Sequence, residues 1–177
     1  MNARLQAKAY AEVIILNFTL YIQIMSKYQS EVKIINAAQV QVWNRISDLS
    51  AYQAMKENMP AETKEMIKAK LAEEAKGKLN LSNLNFTQDT VSCKISGMDV
   101  TFRIVEREEG MKCVKYVADQ SPIPATLWIQ LLPKAPYETK CRVTFEVDIP
   151  FFLKPMVGKK LDGAADQLAE MLTKIPY

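Results

Sequence analysis

Histidine is missing from this chain altogether: none occurs in 177 residues. That removes Ser-His-Asp and Cys-His catalysis, imidazole-based zinc sites, and the side chain that ordinarily moves protons near neutral pH. Cysteine is scarce as well. Cys93, Cys113 and Cys141 stand 20 and 28 residues apart, and no CxxC pair occurs. An odd number cannot close fully into disulfides within one chain, and each lies in an alternating segment, so all three read as reduced, buried, small hydrophobes. An excess of one charge is also lacking. The 23 Lys+Arg and 20 Asp+Glu are interleaved and leave a net charge of +3, without the concentrated basic face of a nucleic-acid binder. Repeats, low-complexity segments and long linkers are absent too. What is present is globular composition, 49% hydrophobic and 24% charged. A domain of this length buries about 70% of the surface its unfolded chain exposes and folds without staples.

The N-terminus differs from the rest. Tyr10 to Met25 reads YAEVIILNFTLYIQIM, an apolar run behind Arg4 and Lys8 that is interrupted by Glu12, Asn17 and Gln23. A spanning helix needs about 20 apolar residues, and Gln23-Ile24-Met25-Ser26 is a poor cleavage site for a secretory signal. Three readings stand: an extension or loosely docked helix over residues 1–26, a membrane-contacting or export segment at 10–25, or an integral core element. Residues 27–177 read as one domain.

From Lys27 the pattern is regular. Tyr28, Ser30, Val32 and Ile34 alternate with polar residues as in a half-buried strand. Asn36 offers an N-cap, with Gln39 placed to complete a capping box, and the helix that follows carries Val40, Val42, Trp43 and Ile46. Ser47-Asp48-Leu49-Ser50 breaks it before a short helix over Ala51 to Asn58. Pro60 opens a charged helix running to Gly77, whose apolar stripe is narrow. Six strands then follow in close succession: Leu81 to Phe86, Val91 to Ser96, Met98 to Glu106, Met111 to Asp119, Ala125 to Leu132 and Lys140 to Ile149. Their tight turns leave no room for parallel crossovers, so the meander is antiparallel. A long helix over Phe152 to Ile175 ends the chain, with small residues Gly158, Gly163, Ala164 and Ala165. Gly in a helix costs up to about 1 kcal/mol relative to Ala, which suggests close backbone approach or a deliberate lack of bulk.

The order of these elements, and the stretch VKIINAAQVQVWNRISDL from Val32 to Leu49, resemble the START-like superfamily, also called SRPBCC or Bet v 1-like and including polyketide cyclases. The family often has proline where Ala38 stands, and the segment PFFLKPMVGKKLDGAADQLAEML is similar to its last helix. The resemblance covers about residues 27 to 177. It implies an α+β helix-grip fold, a curved antiparallel sheet of about six to seven strands wrapped around a long C-terminal helix. It also implies a cavity between sheet and helix that binds an apolar small molecule or lipid. The family shares no residue-level catalytic motif, so no role carries over from it.

On that frame the apolar sheet face supplies Phe102, Ile104, Val117, Leu127, Ile129, Phe145 and Val147 as cavity lining, and the helix supplies Met156, Leu161, Ala164 and Leu168. Arg103, Tyr116, Trp128 and Gln130 fall mostly on the outer parity of their strands. No catalytic residue, metal ligand or cofactor is expected, and a cytoplasmic location fits the cysteines. Two other classes stay open. A cyclase or dehydratase would need an acid in the cavity, for which Glu106 has the inner parity of its strand. A co-chaperone-like interaction module would use an outer surface such as the stripe on residues 61 to 76. The pattern leaves the oligomeric state open.

Overall fold

The structure, a computed structural model, describes residues 25–74, 79–95, 98–121, 123–149 and 163–177. Among these, the strands are β1 (Met25–Gln29), β2 (Lys33–Ile35), β3 (Leu79–Phe86), β4 (Thr90–Ile95), β5 (Met98–Arg107), β6 (Cys113–Gln120), β7 (Ala125–Ala135) and β8 (Glu138–Asp148). The helices are α1 (Gln39–Ser47), α2 (Ser50–Asn58), α3 (Ala61–Glu74) and α4 (Ala164–Lys174). All the strands join one curved antiparallel sheet in the order β1-β8-β7-β6-β5-β4-β3, with β2 also paired to β8. The apolar run at 10–24 and the first part of the expected last helix, 152–162, lie outside the described residues. Met25 and Ser26, grouped with the extension by sequence, open β1 opposite Asp148 and Val147.

The expected first strand is in fact two. Gln29 pairs with Thr144, whereas Lys33 pairs with Cys141, so the register slips by one residue between them. Ser30 holds the break: its N–H donates to the Val143 carbonyl (2.9 Å), and its Oγ accepts the Val143 N–H (3.0 Å). A one-residue slip exchanges the faces of everything beyond it. Ile35 therefore enters the core, while Val32, expected on the buried face, is exposed. α1 also begins later than the sequence suggested. Its N-cap is Ala38, which has no side-chain oxygen to offer, and Gln41 Oε1 accepts the Ala38 N–H at 3.0 Å. That is half of a capping box, with Gln41 in the role expected of Gln39. Gln39 instead donates to the Met111 carbonyl (2.9 Å), tying the start of α1 to the β5–β6 turn. That turn holds Gly110 and Met111 at φ 76° and 58°, the left-handed region, so β6 starts at Cys113 and not at Met111.

The inner face of the sheet carries the core. Val114, Ile129 and Val143 pair across β6, β7 and β8, and all three are buried. α1 lies against β7 and β8, and α4 against β8, β2 and β1. These helices bring Val42, Ile46, Ala165, Ala169 and Leu172 into the same cluster. α2 and α3 lie against β3 at the far edge. Gly163 is no point of close approach: a Cβ there would meet only the Gln167 amide nitrogen, at 4.0 Å. The small residue that matters is Ala165, which is completely buried.

Candidate functional site

The inner face between β5 and β8 is the candidate site. One cross-strand row contains Ile104, Tyr116, Leu127, Phe145 and Tyr28. Phe102 lies opposite Ala118, Val147 opposite Ala125, and Ile129 in the row beside Leu127. Ile104, Leu127, Ile129 and Val147 are buried, whereas Phe102 and Phe145 pack on the core while keeping part of their surface free. From α4, Leu168 packs against this cluster in the same half-buried state, and Ala164 is also partly buried. Met156 and Leu161 lie outside the described residues.

Val117 does not belong with them. It pairs with Arg103 on one side and Thr126 on the other, on the outer face, and the inner positions of β6 are Val114, Tyr116 and Ala118. The sequence carried a signal for this. The odd positions of this strand include Lys115 and Asp119, while Val114, Tyr116 and Ala118 bear no charge. Tyr116 is thus a site residue that alternation from Met111 misses. Its hydroxyl donates to the Ile46 carbonyl at the C-terminal end of α1, where the last turn leaves carbonyls without helical partners.

Glu106 moves in the opposite sense. The β5–β6 register shifts between Ile104 and Glu106, so Glu106 pairs with Lys115 on the outer face and is exposed. The bulge turns Arg107 toward α1 instead. Its Nε donates to the Ser47 carbonyl at 2.9 Å, and its guanidinium also pairs with Asp89. The Leu49 N–H donates to the Gln88 carbonyl (3.0 Å) and the Ile104 N–H to the Asp89 carbonyl (2.8 Å). The α1–α2 junction is therefore held to the β3–β4 turn and to β5 by groups that alternation alone does not reveal.

Three phenols stand among the polar groups on the core side. Tyr52 stacks on Phe86 with ring centroids 5.4 Å apart, beneath the Arg45 guanidinium. Tyr177 donates to the Leu172 carbonyl at 2.6 Å, and Arg45 donates to the Pro176 carbonyl at 3.2 Å. Burial pushes the Tyr52 phenol up to about 12, against a small opposing pull from Arg45. It raises Tyr116 and Tyr177 further, with Tyr52 adding to both. The Cys141 thiol is likewise pushed up to about 12 by burial. These groups stay protonated and neutral through the physiological range, which suits hydrogen bonding and not proton exchange. All three cysteines are free. Among the described residues, no cluster of three or more Cys, Asp or Glu side chains is arranged to hold a metal ion, and no helix is long and apolar enough to cross a membrane.

No family model and no curated protein sequence matches the chain. Solved structures do. A truncated norcoclaurine synthase from Thalictrum flavum superposes with a TM-score of 0.54 over 85% of this chain and 92% of that one, at 10% identity. The Bacillus cereus protein XoxI does so at 0.50, over 85% and 96%, at 9% identity. The chain has the START/Bet v 1-like helix-grip fold. A START superfamily protein from Mycobacterium smegmatis is also similar, at 13% identity over 86% of this chain and 99% of that one, with a TM-score of 0.48. At such identities the shared property is the helix-grip architecture alone, and the chemistry must come from this chain's own residues.

Proposed function

We propose that the protein binds an apolar small molecule or lipid without catalysis, between the inner sheet face and the C-terminal helix. The observation that carries this reading is the half-buried state of Phe102, Phe145 and Leu168, which pack against the buried core cluster and keep part of their surface free. Large apolar side chains that share a concave face and keep free surface are what a ligand of this kind covers. The ionisable groups turned inward favour binding over reaction. Tyr52, Tyr116, Tyr177 and Cys141 are all held away from neutral pH, and Glu106 faces outward. Norcoclaurine synthase, one of the structures this chain resembles, has been solved with dopamine and hydroxybenzaldehyde bound, so the same architecture serves an enzyme elsewhere. The three free cysteines fit a reducing compartment such as the cytoplasm.

Native mass spectrometry of the purified protein tests the reading. A co-purifying apolar mass, displaced by added fatty acid or by detergent below its micellar concentration, is the expected result. Repeated absence of any adduct, together with no uptake of added fatty acid, would count against it.

A further inference from the structure

The outer face of the same sheet carries a second feature that the inner site does not use. A half-open groove of about 150 Å³ runs across β1, β8 and β7, lined by Lys27, Gln29, Trp128, Gln130, Thr144 and Glu146. The pairing explains its position. Gln29, Thr144 and Trp128 form one cross-strand row, with Lys27 opposite Glu146 in the next row on the same face and Gln130 two residues along β7. Trp128 is a large, half-buried indole on the sheet face turned away from the core, where packing does not require it. Lys115 of β6 leans over the ring, 5.6 Å from its centroid, while the groove's lining comes from β7, β8 and β1. Thr144 is almost wholly buried on the groove floor, where its Oγ1 accepts from Gln29 Nε2 at 3.3 Å.

We propose that this groove binds one neutral, polyhydroxylated ring, a monosaccharide unit. Charge, hydrogen-bonding capacity and shape together select this class of ligand. Lys27 and Glu146 pair at 3.5 Å, so the lining carries one charge of each sign and no net charge. An anion would meet Glu146, and a free cation would meet Lys27 and Lys115. A fatty chain would have to strip water from amides, a hydroxyl and an ion pair without returning their hydrogen bonds. A sugar ring returns them. Gln29 and Gln130 each present two N–H donors and a carbonyl acceptor, of which the bond to Thr144 uses one N–H. Such a ring also has an apolar C–H face that can lie against the indole, while its hydroxyls reach the side chains around it. The volume holds a single pyranose with its edge open to solvent.

The test follows the two indole N–H signals by ¹H–¹⁵N NMR while glucose, galactose, mannose and N-acetylglucosamine are titrated in turn. The expected result is a saturable shift of the Trp128 signal with at least one sugar, while the Trp43 signal, from a residue packed against the inner core, stays in place. Trp128→Ala should abolish saturable binding read on the backbone amides of Gln29 and Thr144. Gln130→Ala, a milder change on the exposed face, should weaken binding several-fold, with an unchanged melting temperature showing that the fold is intact. Tetramethylammonium and inorganic phosphate serve as the charged probes. A Trp128 shift with either of these and with no sugar would overturn the proposal. So would the absence of any saturable shift, or sugar binding that survives both substitutions. Loss of the inner site's ligand leaves this experiment unaffected, since the two faces share no lining residue.

Discussion

Two regions of the inner sheet face, built from the same kinds of residue, reach different degrees of closure. At the β2, β7 and β8 end, α1 and α4 lie directly across the strands, and Ile35, Val42, Val114, Val143 and Ala165 lose essentially all contact with solvent. Along the β3, β4 and β5 arm, Phe86, Val91 and Phe102 remain half-buried although they are no less apolar. The difference lies in what covers them. Two helices with buried Ala, Val and Ile approach the first region closely, whereas among the described residues α2 and α3 lie chiefly against β3. Closeness of helix to sheet accounts for part of this contrast, but not for all of it: Phe145 of β8 and Leu168 of α4 keep free surface within the region that α4 covers, and Val100 and Ile104 of β5 are buried.

If the comparison is right, truncations in the closed region should cost far more than truncations in the arm. Ile129→Ala should destabilise by about 2–5 kcal/mol, the usual cost of emptying a buried aliphatic site. Phe102→Ala should cost less than about 2 kcal/mol despite its larger volume, because part of its surface is already in water. Urea unfolding of both variants checks the order, and equal losses would break the comparison. The next effect concerns the polar bond from β6 to the end of α1. Tyr116→Phe leaves the buried Ile46 carbonyl without its phenol donor and should cost about 1–3 kcal/mol. Tyr52→Phe, by contrast, should change stability little at neutral pH, since no hydrogen bond is removed with the stack on Phe86.

A smaller effect sharpens the picture through pH. Tyr52, Tyr116 and Tyr177 all ionise later in the folded chain than when unfolded, mainly because they are buried. The unfolded chain therefore releases their protons first as the solution becomes alkaline. Stability should be fully present below about pH 10, the ordinary phenol value, and fall as pH rises beyond it. For Tyr52 that window closes near its folded value of about 12. Melting temperatures across this range should fall less steeply in Tyr52→Phe than in the parent. Parallel curves would show that the phenol is as solvated in the fold as out of it.

The order of elements was legible in the sequence because each of its signals is local. Alternation marks the strands, Asp48 and Ser50 mark the helix break, and the apolar period marks α4. Asp48 indeed accepts from both the backbone and the hydroxyl of Ser50, and these bonds lower its pKa. The errors fall where one residue is inserted into a pairing. The slip between Gln29 and Lys33 exchanges Val32 for Ile35, and the bulge after Ile104 exchanges Glu106 for Arg107. A period of two carries no mark of such a slip, because each half of the strand still alternates correctly by itself. Val117 is a different error. Both faces of β6 carry apolar residues, and only the charges of Lys115 and Asp119 tell them apart. The half-buried state of Phe102, Phe145 and Leu168 depends on where the helices settle, which no local pattern encodes.

The central claim, that space for a ligand lies beside the helix grip, is tested most directly by filling it. Ala165 is completely buried against the closed core, while its neighbour Ala164 is only partly covered. Leucine is placed at each position in turn, and stability is measured together with binding of the apolar fluorophore anilinonaphthalene sulfonate. Ala165→Leu should overpack the core and cost about 1–3 kcal/mol. Ala164→Leu should cost less than about 1 kcal/mol and still remove most of the fluorophore binding seen in the parent. Equal destabilisation at both positions, with no fluorophore bound by the parent, would contradict the account and leave α4 as a packed helix over a filled core.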